Sequence, residues 1–177
     1  MGETDDLVPG LRAGRREAFE ALVDRTYRMI YGLAARMVGH PEEARDIVQE
    51  VYLRSYQALP RYRGEASPGT WLYRIAVNVC LDHQRRRRPR EALDETLSAT
   101  NPSPLEASLE AESARRLAGS VMGLPPRQKV TLVLRVYQGL SFREIAELLD
   151  SPIGTVKANY HHALLRLRQE FRGTPGS

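Results

Sequence analysis

Cysteine is all but missing from this chain: Cys80 stands alone among 177 residues. A single thiol excludes a disulfide framework and any zinc site built on paired cysteines. Its place in an apolar helical run marks it as a packed core thiol. Aromatics are sparse as well, at 7%, with one Trp and three Phe. No apolar run approaches the roughly 20 residues that a bilayer-spanning helix needs, so no direct membrane insertion is expected. The N-terminus carries Glu3, Asp5 and Asp6 and lacks the basic flank and apolar stretch of a signal peptide. A cytoplasmic protein is the simplest expectation. Also missing are strand-like alternation, a phosphate-cradling glycine loop, a nucleophile–base set and a metal-ligand cluster. The chain therefore reads as all-α, with no metal, no cofactor and no enzymatic activity.

What is present is charge, unevenly placed. Hydrophobic residues make up 42% of the chain and charged residues 27%, enough for one or two small soluble domains. The net charge is only +4. Residues 60–90, however, carry eight Arg against Glu65 and Asp82, whereas residues 91–112 carry six acids and no cation. Residues 127–177 return to eight cations against four acids. Two basic blocks thus flank an acidic spacer, a pattern compatible with a nucleic-acid partner.

Taken in order, residues 1–14 form an N-terminal extension, a short helical turn or a loose start. A long amphipathic helix is predicted over 15–38, with Phe19, Leu22, Val23, Tyr27, Ile30, Leu33, Ala34 and Met37 inward. Gly39-His40-Pro41 stops it. The next helix has Ala44, Ile47, Val48, Val51, Ser55 and Leu59 inward, and Asp46, Gln49, Glu50 and Arg54 outward. Pro60 ends it. After the loop from Arg61 to Thr70, Ser67-Pro68 opens a third helix as cap and first residue. Trp71, Leu72, Ile75, Ala76, Val79 and Cys80 mark its buried side, and Tyr73, Arg74, Val77, Asn78 and Leu81 cover the rest. It exits through Arg85, Arg86, Arg87 and Arg88. Trp71 is set as core rather than as a stacking platform. The first domain is therefore 15–88, followed by a flexible linker over 89–108 that is rich in Pro and Ser. The second domain spans 109–172, with 173–177 as a tail. Its helices run over 109–122 and over 127–138, the latter packing through Val130, Val133, Leu134 and Tyr137, with Gly139 closing it.

The stretch from Gly139 to Arg168 reads as two helices joined by a tight turn. Ser141 followed by Glu144 is a capping box. Ile145, Leu148 and Leu149 form one apolar face, and Ala146 permits a close crossing. Ser151 is the expected cap of the second helix, with Pro152 at its first position. Ile153, Val156, Tyr160, Ala163, Leu164 and Leu167 are placed inward. Thr155, Ala158, Asn159, His162 and Arg166 share an outward stripe flanked by Lys157, His161 and Arg168. Short polar residues followed by cations suit a helix whose first turns enter a major groove. A plain helical hairpin with a solvated face has similar spacing. The caps, the small crossing residue and the basic exit favour a helix-turn-helix.

Three blocks in series resemble the sigma-70 family of bacterial RNA polymerase sigma factors, in particular its two-domain extracytoplasmic-function (ECF) group. DIVQEVYLRSYQAL (Asp46 to Leu59) is similar to the family's polymerase-docking helix. RYRGEASPGTWLYRIAVNVCLDHQRRRR (Arg61 to Arg88) is similar to its promoter-melting and −10 region. LPPRQKVTLVLRVYQGLSFREIAELLDSPIGTVK (Leu124 to Lys157) is similar to its −35 binding domain. The resemblance implies an initiation factor that docks on core RNA polymerase, at the β′ clamp helices and the β flap. Docking would use Asp46, Gln49, Glu50 and Arg54.

It further implies −10 contacts by Arg61, Arg63, Gly64, Glu65, Ala66, Ser67, Arg74, Asn78, Arg85 and Arg86. Among these, the loop around Arg63 would hold a base unpaired from the duplex. The −35 contacts would fall to Arg143, Thr155, Lys157, Ala158, Asn159, His161, His162 and Arg166. After Lys157 the chain departs from the common family pattern of Ser, a basic residue and Leu. Ala158, Asn159 and Tyr160 stand there instead, so no −35 sequence is carried over. Promoter DNA is the implied ligand, and an anti-sigma factor is an implied partner that no residue here identifies. His161 and His162, adjacent on a helix and without a carboxylate or Cys at ligand spacing, do not suggest a metal site. The alternative on residues alone is a stand-alone helix-turn-helix regulator, which leaves the first domain without a role.

Overall fold

A computed structural model describes the backbone of residues 2–91 and 109–172, and the side chains of 4–86 and 116–170. Most of the expected linker, 92–108, and the expected tail, 173–177, lie outside the described residues. Eight α-helices and no strand occur among the described residues. They are α1 (Val8–Arg12), α2 (Arg16–Val38), α3 (Pro41–Ala58), α4 (Pro68–Glu91), α5 (Leu109–Met122), α6 (Pro126–Val136), α7 (Phe142–Leu148) and α8 (Ile153–Arg172). Short 3₁₀ turns cover Gly2–Leu7 and Leu59–Arg61. The fold class is all-α. The chain divides into two compact units, Met1–His83 and Gln84–Ser177.

In the first unit α2 and α3 pack as an antiparallel pair. Gly39, at φ +79°, ends α2 with its N–H on the Ala35 carbonyl, and Pro41 starts α3 where a missing N–H costs nothing. Phe19, Leu22, Ile30, Leu33 and Met37 of α2 are buried, as are Ala44, Ile47, Val48 and Val51 of α3. Tyr27 was expected inward and is not: it is 45% exposed and stacks on Tyr31. Thr26 occupies the inward stripe, since it lies four residues from both Leu22 and Ile30. Its hydroxyl donates to the Leu22 carbonyl at 2.5 Å and meets the Tyr52 hydroxyl at 3.0 Å, which removes the cost of burying it.

Helix α4 corrects a second expectation. Tyr73, Val77 and Leu81, expected to cover the rest of the helix beyond its buried side, are themselves buried together with Leu72, Ala76, Val79 and Cys80. A helix apolar around most of its circumference is enclosed by its neighbours rather than laid on one of them. Arg74 and Asn78 remain exposed. Burial pushes the Cys80 thiol up to about 12 and raises the Tyr73 hydroxyl well above its ordinary range. Helix α4 is braced to α3 by Arg54, which contacts Asp82 at 3.4 Å, and by His83 at 3.9 Å from Glu43. It continues to Glu91, past the Arg88 exit expected from the sequence.

The second unit gathers α5, α6 and α7 around α8. Val130, Val133 and Leu134 are buried as expected, but Tyr137 is exposed because α6 ends at Val136 and the chain turns away there. Arg135 closes that turn. Its guanidinium donates to the Leu140 carbonyl at 2.9 Å and lies 5.0 Å over the Phe142 ring, which meets Tyr160 edge-on.

The capping box opens α7: Glu144 N–H donates to Ser141 Oγ at 3.2 Å, and Ser141 N–H to Glu144 Oε2 at 2.7 Å. Ser151 does not cap α8. Its hydroxyl donates back to the Leu149 carbonyl at 3.1 Å, and α8 starts at Ile153. Val156 and Ala163 are fully buried, whereas Ile153 and Leu164, expected inward, are exposed. Helical side chains lean towards the N-terminus, so Ile153 projects past the helix end. Leu164 lies off the stripe of Val156, Tyr160, Ala163 and Leu167.

Candidate nucleic-acid interface

The first surface is a cleft of about 360 Å³ at the start of α4, lined by Arg61, Tyr62, Arg63, Glu65, Ala66, Trp71 and Arg74. Five of these belong to the residues singled out from the sequence. Gly64, at φ +79°, turns the loop in a conformation that only glycine adopts without strain. Tyr62 closes it by donating its hydroxyl to the Ala66 carbonyl at 2.7 Å. Ser67 then caps α4, its Oγ accepting from the Thr70 N–H at 3.2 Å. Arg74 and Asn78 continue from the cleft on one exposed stripe of α4, with Arg85 two turns further along.

Sequence reasoning missed two members of this cleft. Tyr62 is buried by the loop it closes, and its ring lies 4.9 Å from that of Trp71 at 42°. Trp71, expected as core, is only half-buried and forms a wall of the cleft. The available signal is an aromatic on each side of the Arg63-Gly64 loop, with Arg61 and Arg74 just outside the pair, an arrangement suited to holding unstacked bases. Burial raises the Tyr62 phenol first, and the Asp5 carboxylate nearby adds to it.

The second surface is the first four turns of α8 with the start of α7. Thr155, Lys157, Ala158, His162 and Arg166 are exposed, Asn159 is half-exposed, and Arg143 of α7 is exposed. This brings together polar groups able to address base edges and cations able to hold phosphates. His161 points elsewhere: it lines an apolar groove of about 490 Å³ with Leu117, Leu164, Leu165, Leu167 and Arg168.

The third surface is the outer face of α3. Asp46 and Gln49 are exposed, and one turn beyond Gln49 stands Leu53, 54% exposed, which the sequence reading does not single out. Glu50 and Arg54 are partly covered and pair with each other at 2.6 Å. Arg54 also reaches Asp82, so its charge serves the α3–α4 brace. Among the described residues no group of three or more His, Cys, Asp or Glu is placed to hold a metal ion. No helix among them is long and apolar enough to cross a membrane.

These features define a class: a helical protein with a cationic aromatic cleft in one unit and a helix-turn-helix with an open second helix in the other. Comparison with known proteins resolves it further. The family model for Sigma-70 region 2 matches residues 22–90, and that for Sigma-70, region 4 matches residues 115–167. The chain is 32% identical to the ECF RNA polymerase sigma factor SigW of Bacillus subtilis, covering 93% of this chain and 95% of that protein. It is 32% identical to the ECF RNA polymerase sigma-E factor of Escherichia coli K12, covering 89% and 88%. In solved structures the fold is shared by CnrH, in complex with the cytosolic domain of CnrY (TM-score 0.68, 24% identity, covering 97% and 98%). It is also shared by the sigma factor RpoE of Bartonella quintana, in complex with the anti-sigma factor NepR (TM-score 0.67, 16% identity, covering 89% and 98%). The chain belongs to the sigma-70 family and is an RNA polymerase sigma factor of its ECF group. The match over both units removes the stand-alone regulator as an alternative.

Proposed function

We propose that the three surfaces divide the work of promoter recognition. The cleft at Arg63 takes up a base released from the −10 duplex, with Trp71 and Tyr62 as its apolar wall and Arg61, Arg63 and Arg74 holding the strand. The exposed turns of α8, with Arg143, read the −35 duplex. The outer face of α3 docks on the β′ clamp helices of core polymerase through Asp46, Gln49 and Leu53, while Arg54 holds Glu50 and the α3–α4 brace. The groove at Leu117, Leu164 and Leu165 is the apolar surface of the second unit that suits the β flap. The protein makes and breaks no bond itself, acts in the cytoplasm, and is restrained by an anti-sigma factor.

The observation that carries this reading is the composition of the cleft: cations, two aromatics and a left-handed glycine turn around a space of about 360 Å³. A released base needs such a pocket, and its phosphates need cations along the path. The test is promoter-dependent run-off transcription by core polymerase with the purified chain on genomic templates. Replacing Asp46 and Gln49 with Arg is expected to abolish transcription by loss of polymerase binding. Replacing Arg63 and Arg74 with Ala is expected to leave polymerase binding intact and block duplex opening. Unchanged polymerase binding in the first variant removes α3 from the docking role.

A further inference from the structure

We infer that Thr4 is a positioning residue for base capture: its side chain caps α4 from outside the helix and holds the preceding loop in the shape that lines the cleft. The inference rests on the capture reading just given. A helix begins with amides that have no partner inside it. At the start of α4, Ser67 serves the Thr70 amide. The Gly69 amide donates instead to Thr4 Oγ1 at 3.0 Å, from a residue 65 positions away. Thr4 is 4% exposed and Gly69 is buried, so water does not replace this contact.

The same N-terminal segment supports the loop at a second point. A Cβ on Gly64 would come within 3.1 Å of Val8 Cγ1 and 3.5 Å of Arg12 Cδ, so α1 lies directly behind the turn that shapes the cleft. Leu7 and Leu11 anchor the segment in the core, and Asp6 pairs with Arg25 of α2 at 2.6 Å. The turn of the loop at Gly64 is thus backed by Val8, while the helix that follows the loop is tied through Gly69 to Thr4. A binding pocket formed before its ligand arrives avoids the ordering cost at the moment of capture. Without the tie, only the fraction of molecules with a formed cleft is competent.

The test uses holoenzyme assembled from the full chain. Forked promoter fragments are selected from genomic DNA by the wild-type holoenzyme, and each carries either the intact −10 non-template strand or one abasic position. In the wild type, the abasic site at the captured position weakens binding. Thr4→Val removes the acceptor at nearly constant volume, and Thr4→Ser retains it. Thr4→Val is expected to bind the intact fork roughly five-fold more weakly, the size of a lost helix cap. It is expected to equal the wild type on the fork lacking the captured base. Thr4→Ser restores binding, and affinity for core polymerase is the same for all three proteins. If Thr4→Val matches the wild type on the intact fork, or loses as much on the abasic one, the inference is overturned. If no abasic position weakens the wild type, the capture reading falls and the inference with it. Amide exchange in the full wild-type chain tests the tie without any variant: Gly69 is expected to be as protected as the interior of α4. Exchange at the rate of an unfolded chain overturns the inference.

Discussion

At the residue scale, burial decides chemistry. Cys80 is the one thiol of the chain, and it is sealed among the apolar side chains of α4 with its pKa pushed up to about 12. At pH 8 its thiolate fraction is on the order of one part in ten thousand, against about a quarter for a free cysteine. The native protein is therefore expected to resist a thiol reagent at pH 8, and the guanidinium-unfolded protein to react at once. Rapid labelling of the native chain would place the sulfur at the surface. The sign of the linked stability follows from the raised value: the neutral thiol's contribution is complete below about pH 8.5 and is lost as pH rises towards 12. Glu144 runs the other way. Its hydrogen bonds with Ser141 lower its pKa, side-chain contact first, so its contribution to the capping box is present above the ordinary carboxylate range. It is lost as pH falls through the folded value.

At the element scale that box decides whether α7, only seven residues long, forms at the right place. Ser141→Ala is expected to cost about 1 kcal/mol, read as a matching loss of amide protection along α7. Gly64→Ala is expected to harm function more than stability, because both its φ of +79° and Val8 at 3.1 Å oppose a methyl group. Run-off transcription at wild-type level by that variant would argue against a shaped loop. Helix existence and the capping box were legible in the sequence, because 3.6-residue periodicity and cap residues are local signals. The outward polar stripe of α8 was legible for the same reason. What failed was what neighbours decide. Tyr73, Val77 and Leu81 lie beyond the expected buried side of α4, and elements from elsewhere in the chain enclose them. Tyr27 and Thr26 exchange places because a hydroxyl bonded to the Leu22 carbonyl is cheaper to bury than periodicity alone suggests. Ser151 has the spacing of a cap, yet its hydroxyl finds the Leu149 carbonyl first. In the cleft, the Arg residues were visible as charge. Tyr62 and Trp71 were not, because their partnership depends on how the loop folds back.

At the scale of the whole molecule, two modest DNA contacts are joined through one chain and one polymerase, so each raises the effective concentration of the other. The two kinds of contact proposed for α8 are separable. Lys157→Ala is expected to reduce the slope of log affinity against log salt by about 0.9, the signature of one lost phosphate contact. Asn159→Ala is expected to leave that slope unchanged and to cost about 1–3 kcal/mol of discrimination at one −35 base pair. Combining Lys157→Ala with Arg63→Ala then asks whether the units act as independent grips. Sites in separate units with no side-chain contact in common are expected to add within about 0.5 kcal/mol in holoenzyme–promoter affinity. A coupling well above that would mean that seating α8 on the −35 duplex alters the cleft at Arg63. The two contacts would then share a conformational preference as well as proximity.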